Sequence, residues 1–305
     1  MRVRPPREED FDEVLALLQA ADVALIGESD WTPYDLRDDW EHVADLERDA
    51  WVVELGARLA GFAFLIDRRS RLSVDGYVHP ELTGRGVGTE LLRLTEERAR
   101  DLAEGLEPPV KLQNATLVGD PCVPALYERN GYTAARHVFR MVVDLDDREP
   151  PLSEAEGVAI ERYDHGRDAR AVHETLEEAF AREWNHRPES FDEFERRRLA
   201  GRHFDPSLWF VARAGDEVVG AILNDWKRNG PWGWIGSVGV RDAWQRRGIG
   251  EALLRASFRE FHRRGERKVA LGVDVQNPTG ATRLYERVGM RVLWEAVVYE
   301  KVLHG

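Results

Sequence analysis

Cysteine is nearly absent: Cys122 is the one thiol in 305 residues. That excludes an intramolecular disulfide and any all-cysteine metal cage. The nine histidines are scattered, without a His-x-x-x-His or Cys-paired spacing, so no metal site is expected. No apolar run approaches the ~20 residues of a membrane-spanning helix. The opening residues, MRVRPP, lead into an acidic stretch and not an apolar signal core. Positive charge is the minority sign, with 43 Lys and Arg against 56 Asp and Glu and a net charge of −13. Wholesale binding to nucleic acid or an anionic membrane is therefore not expected. A local basic pocket for one phosphate group stays open. The expected compartment is the cytoplasm.

What is present is an ordinary globular composition, 43% hydrophobic and 32% charged, over a length that suits one large domain or two smaller ones. The chain repeats itself once. Residues 51–61 (WVVELGARLAG) parallel 209–220 (WFVARAGDEVVG), each reading as strand, tight turn and strand. Residues 78–88 (VHPELTGRGVG) parallel 240–250 (VRDAWQRRGIG), and 125–131 (ALYERNG) parallel 283–289 (RLYERVG). The three matches keep their order at offsets of 158 to 162 residues, the mark of a tandem duplication. Between the copies, 146–156 is acidic and carries paired prolines, a linker composition. The expected domains are thus 1–145 and 157–305. Within the second copy, strands are expected over 158–163, 207–214, 217–225, 232–240 and 268–276. Helices are expected over 168–180, 251–262 and 279–288, the last stopping at Gly289. Helices and strands intermix, so the class is α/β, with a mixed twisted sheet flanked by helices in each copy.

Gln245, Arg246, Arg247, Gly248, Ile249 and Gly250 follow a strand and open a helix. Free amides at a helix start and the positive dipole end attract phosphate, and glycine lets a ligand reach the backbone. Arg246 and Arg247 add local positive charge. The first copy places Arg85, Gly86, Val87 and Gly88 likewise, after Thr83. A Walker loop would need Gly-Lys-Ser/Thr, and a dinucleotide fingerprint a third glycine; neither loop supplies them. A nucleotide-binding fold using the same loops would bind ATP or NAD instead.

Gln/Arg-x-x-Gly-x-Gly between strand and helix, then a strand ending near Asn277, then Leu-Tyr-Glu-Arg-x-Gly, resembles the GNAT superfamily of acetyl-CoA-dependent N-acetyltransferases. The resemblance covers both copies. It implies that the loop amides cradle the pyrophosphate of acetyl-CoA, the co-substrate. It implies that the strand before the loop splays from the next one, its edge near Val238 and Val240 (Val78 in the first copy) receiving the pantetheine arm. Asn277 matches an asparagine that contacts that arm. Among tandem members the second copy is similar to the active half of mycothiol synthases. A tandem chain resembles a fused dimer, which implies a monomer. The substrate class implied is a small-molecule primary amine, attacked directly in a ternary complex.

Tyr285 sits where the family places a tyrosine that protonates the departing thiolate; Tyr127 matches it in the first copy. A thiol of pKa ~8.5 leaving against a phenol of ~10 makes full transfer uphill by about 2 kcal/mol, so a hydrogen bond that strengthens as sulfur charges is the simpler role. The first copy has Gly119 in place of the asparagine and Thr83 in place of the leading glutamine, which makes the second copy the expected catalytic one. The mycothiol synthase pattern has a glutamate six residues before Val240; here Trp234 stands there, and Leu72 in the first copy. An α-amine of pKa ~8 costs only ~1.4 kcal/mol to deprotonate at pH 7, against nearly ~5 for a lysine-like amine, so a weak base favours α-amines. Asp274 is the candidate base, with a solvated or capping carboxylate as the equal alternative; Asp225 is the weaker one. Trp232 and Trp234 share a strand face by period two and would floor an acceptor pocket, or pack in the core. Cys122 reads as a small packed residue and not a nucleophile. The missing glutamates also leave open a non-catalytic acetyl-CoA-binding or regulatory module.

Overall fold

The computed structural model describes residues 1–305 except 68–70, 185, 202, 203, 228, 278 and 305. The chain divides into two compact units: Met1–Val138 together with Trp294–Gly305, and Phe139–Leu293.

The first unit runs β1 (Arg2–Arg4), α1 (Phe11–Ile26), α2 (Pro33–His42), α3 (Leu46–Asp49), β2 (Ala50–Leu55), β3 (Arg58–Asp67), β4 (Arg71–Val78), α4 (Val87–Ala103), β5 (Val110–Leu117), α5 (Val123–Arg129) and the start of β6 (Thr133–Asp144). Thr32 caps α2 by accepting from the Asp35 amide, and Pro33 fills the first turn, where no amide partner is needed. The alternating pattern of β3 collapses into eight consecutive buried residues because helices cover both faces. α1 and α2 pack Leu17, Leu18, Leu36 and Trp40 on Phe62 and Phe64 from one side. α4 packs Leu91 and Val87 from the other.

The second unit repeats the plan: the rest of β6, β7 (Ala159–Arg162), α6 (His165–Phe180), α7 (Phe191–Phe194), β8 (Phe210–Ala214), β9 (Glu217–Trp226), β10 (Gly233–Val240), α8 (Ile249–Arg263), β11 (Lys268–Asp274), α9 (Ala281–Arg287) and the start of β12 (Arg291–His304). Its sheet order is β6-β11-β10-β9-β8-β7. The helical and β-rich runs expected from periodicity match these elements to within a few residues at their ends. Gly289 takes φ 95° after α9, the left-handed stop expected of it. α8 buries Leu253, Leu254, Phe258 and Phe261. A Cβ on Gly233 would lie 2.6 Å from the Phe261 ring, so glycine there lets α8 lie close on β10.

The expected domain ranges differ from these units over 139–145, which group with the second unit, and at the C-terminus. From Trp294 onward β12 belongs to the first unit, pairing antiparallel with β5 (Ala296 opposite Leu117, Tyr299 opposite Asn114). Tyr299 is buried and its ring lies 5.3 Å from that of Tyr127. Lys301 Nζ donates to Glu96 at 2.8 Å, and Lys111 Nζ to Glu300 at 2.8 Å. The first sheet therefore has the order β1-β2-β3-β4-β5-β12. Ala155, in the expected linker, and Leu145, just before it, are buried with the second unit's core, and the Leu145 amide donates to the Arg267 carbonyl at 2.8 Å.

Candidate functional site

β10 and β11 pair in parallel at only two positions among the described residues, Gly233 with Val269 and Trp234 with Ala270. Beyond these, residues 235–240 and 271–274 are not paired with each other among the described residues, opening a wedge between the two strands. At the same point β10 carries a bulge: its register against β9 shifts between Ile235 and Ser237, leaving Gly236 as the extra residue. The wedge edge of β10 can be assigned. The Arg241 amide donates to the Val219 carbonyl at 2.9 Å, so Arg241 faces β9. By antiparallel alternation Val238 and Val240 then turn their backbone groups into the wedge. The side chain of Gln245 donates to the Val240 carbonyl at 3.3 Å, which ties the loop to the strand end.

After β10 the chain makes a short turn over Asp242–Trp244 and reaches α8 through two left-handed residues, Arg246 at φ 62° and Gly248 at φ 80°. Gly248 is the N-cap of α8 and supplies no side chain to satisfy the helix amides. Those amides, with exposed Arg246 and Arg247 beside them, form a cradle for an anion. The Arg247 guanidinium lies 4.7 Å from the Trp244 ring centroid. Gly250 serves packing: a Cβ there would stand 2.9 Å from Leu284 Cδ2, so glycine lets α9 approach α8 and carry Tyr285 inward.

Tyr285 is buried, and burial together with the nearby Glu183 charge pushes its phenol well above the usual value. Its hydroxyl has no hydrogen-bond partner among the described residues. Glu183, on the turn after α6, carries none of the motif signals that marked the other candidates. It accepts from Asn277 Nδ2 at 2.8 Å. Burial and the Asp274 carboxylate raise its pKa against the opposing pull of Asn277 and His186. Asn277 is held in turn: its amide donates to the Asp274 carbonyl at 3.1 Å, and its Oδ1 accepts from the Thr279 amide at 2.8 Å. Asp274 itself accepts from the Gln276 amide at 2.8 Å.

The first unit builds the same frame. β4 and β5 pair from Arg71 with Lys111 to Val74 with Asn114 and then part. Gly86 caps α4 at φ 82° and ψ 0°, against 80° and −2° for Gly248. Two features differ. The β3–β4 register runs from Gly61 to Asp67 without a shift, so β4 has no bulge. The Tyr127 hydroxyl donates, at 3.5 Å, to the Ala115 carbonyl.

Both halves match one family. Residues 169–290 match the acetyltransferase (GNAT) family and residues 47–134 an acetyltransferase (GNAT) domain. A mycothiol acetyltransferase of Thermobispora bispora is 31% identical over 81% of this chain and 81% of the relative. The chain belongs to the GNAT acetyltransferase family. A mycothiol acetyltransferase of Catenulispora acidiphila is 28% identical over 98% of this chain and 97% of its own. The crystal structure of a GCN5-related N-acetyltransferase from Sphaerobacter thermophilus superposes with a TM-score of 0.90 at 35% identity, covering 100% of this chain and 96% of that one. A tandem GNAT protein of the clavulanic acid biosynthesis pathway shares the fold, with a TM-score of 0.72 at 18% identity over 100% of this chain and 99% of that one. The protein is therefore an acetyltransferase, and GNAT acetyltransferases use acetyl-CoA.

The GNAT wedge fits that co-substrate. Gly248 leaves the start of α8 uncovered, a Cβ there finding nothing nearer than the Glu154 carbonyl at 3.8 Å. Arg85, Val87 and Gly88 hold the corresponding places in the first unit; Gly88 stands against Leu126 and Val78, each 3.6 Å from its Cβ position. Trp234, the last β10 residue paired with β11, has the Arg140 guanidinium over its ring at 4.6 Å. Trp232 lies just before β10, with Lys268 Nζ 4.3 Å from its ring centroid. Both indoles are thus met by cations. Asp225 is buried behind the bulge, its Oδ2 3.1 Å from where a Gly236 Cβ would be. Cys122 is exposed at the N-cap of α5 and not packed as expected, because Asp120 caps the Cys122 and Val123 amides and turns the thiol outward. Among the described residues no group of His, Cys, Asp or Glu could hold a metal, and no helix is long and apolar enough to cross a membrane.

Proposed function

We propose that the second unit is the working site, transferring the acetyl group of acetyl-CoA directly to a primary amine of a small molecule. The observation that carries this reading is the bulge at Gly236, which coincides with the parting of β10 and β11 and has no counterpart in β4. A bulge re-aims the backbone where pairing ends, and here it turns amides toward the wedge. When bound, acetyl-CoA supplies the thioester that an amine attacks. The helix amides of α8 and the two arginines hold the phosphates. The backbone of Val238 and Val240 orients the arm and polarises the acetyl carbonyl. Tyr285 keeps its proton, because burial and the neighbouring charge disfavour phenolate. Its hydroxyl donates a hydrogen bond that strengthens as charge develops on sulfur.

The acceptor follows from relatives and chemistry together. The names of the curated relatives make a mycothiol-type amine the first to try. The reaction favours α-amines of pKa ~8, a tenth of which are already neutral at pH 7.

Calorimetry with acetyl-CoA on the wild type, Gly248→Asp and Gly86→Asp tests the site, and product formation across a panel of primary amines tests the reaction. The expected result is loss of the productive site in Gly248→Asp only. Full turnover in Gly248→Asp would move the reaction to the first unit. Acetyl-CoA binding without acetylation of any amine would favour a binding module instead.

A further inference from the structure

We propose that Glu183 is the proton acceptor for the incoming amine, held in place by Asn277. This rests on the reading that the second unit acetylates an amine.

Of the candidate carboxylates Glu183, Asp274 and Asp225, the last two are engaged by other contacts. Asp274 caps the turn after β11 through Gln276. Asp225 is buried behind the bulge. Glu183 is half-buried on the turn that leaves α6, its own amide donating to the Phe180 carbonyl at 2.8 Å. One oxygen, Oε1, accepts from Asn277 Nδ2 at 2.8 Å, and the other has no partner among the described residues. The orientation of the Asn277 amide is fixed, because its Oδ1 already accepts from the Thr279 amide and hydroxyl at 2.8 and 2.5 Å. Asn277 must therefore present a donor to Glu183.

The groups that act on Glu183 are Asn277, Asp274, His186 and Tyr285. Burial and Asp274 favour the protonated carboxyl, while Asn277 and His186 oppose them. The result is a carboxylate more basic than usual. It is close enough to Tyr285 that its charge raises the phenol. The proton acceptor and the hydrogen-bond donor to sulfur thus come from the turn after α6 and from α9 respectively.

The step balances. An ammonium acceptor gives one proton to the Glu183 carboxylate, which passes it to solvent. The freed nitrogen lone pair forms the bond to the acetyl carbon. The carbon–sulfur bond breaks with its electron pair going to sulfur. The second N–H proton is lost to solvent, and the thiolate that leaves, held by the hydrogen bond from the Tyr285 hydroxyl, takes up one proton from solvent.

Two measurements test this on the full chain. The first needs no co-substrate: carbon-13 NMR of the glutamate carboxyls, with Glu183 assigned by its loss in Glu183→Gln. The expected midpoint lies above the ordinary ~4.3 and rises further in Asn277→Ala, which removes a hydrogen bond to the charged form. An ordinary midpoint that Asn277→Ala leaves unmoved would overturn the placement. The second is the pH profile of kcat/KM with the best α-amine of the panel. Glu183→Gln is expected to lose about tenfold at pH 7 and about a hundredfold at pH 6, its acidic limb moving up to the amine's own pKa of ~8, with part of the loss restored in Glu183→Asp. A Glu183→Gln enzyme within threefold of wild type from pH 6 to 9, under conditions where Tyr285→Phe is impaired, would overturn the assignment and leave the proposed function standing. A wild-type chain that acetylates no amine would instead sink the proposed function, and this role with it.

Discussion

Tyr285 shows how far a single residue can be argued. Its place in Leu-Tyr-Glu-Arg marks it in the sequence, and the structure adds that its phenol is buried and its pKa raised. Full proton transfer to a thiolate of pKa ~8.5 is then even more uphill than the ~2 kcal/mol separating the free groups. In the proposed reaction the hydroxyl acts by a hydrogen bond made in the transition state. Tyr285→Phe is accordingly expected to lower kcat about 10²–10³-fold with little change in the KM for acetyl-CoA. A steady-state comparison that found KM raised and kcat intact would assign Tyr285 to binding instead. Glu183 is the opposite case. No spacing or motif marks a glutamate on a surface turn, and only the packing of that turn against Asn277 gives it a role.

At the scale of an element, α8 opens at the anion cradle proposed to hold the phosphates, and a charge cluster lies at its far end. Glu260 is nearly buried and accepts from Arg162, Arg263 and Arg264 at 2.6, 2.7 and 2.8 Å. These hydrogen bonds outweigh burial and hold its carboxyl down at about 2. A carboxylate whose folded pKa lies below its unfolded one contributes stability that is complete above the unfolded value of ~4.3 and is lost as pH falls through the folded one. The window is therefore about pH 5 to 2, and the contribution is on the order of 3 kcal/mol. Chemical unfolding across that range should fall more steeply for wild type than for Glu260→Gln. Parallel curves would show that the cluster is neutral to stability. The hydrophobic spacing of α8 was legible in the sequence. The cluster was not, because Arg162 lies 98 residues from Glu260 and comes to it only through the fold.

At the scale of the whole molecule, the chain closes the first sheet with its last strand. Without Trp294–Gly305, β5 would lose the partner that covers its edge, Tyr127 and Tyr132 would lose Tyr299 from their cluster, and Glu96 would lose Lys301. An uncovered hydrophobic edge invites aggregation, and loss of one buried aromatic alone costs about 3–5 kcal/mol. Deleting 294–305 should therefore destabilise the first unit by more than about 4 kcal/mol, visible by scanning calorimetry as a separate early transition or as precipitation. An unchanged melting profile would mean that β12 contributes little.

The sequence by itself determined the class, the duplication, the glycine-capped helix starts and the two tyrosines. Each of these depends on periodicity or on a residue type that a local backbone conformation demands, as Gly86 and Gly248 do at φ near 80°. Tertiary structure decided three things. It decided which strand completes the first sheet, because an open edge selects its partner by hydrogen bonding in space and not by position in the chain. It placed a bulge in β10 and none in β4, since register is set by the pairing of whole strands. It also set a glutamate beside Asn277 and Tyr285, because the path of a turn depends on what the rest of the chain packs against it.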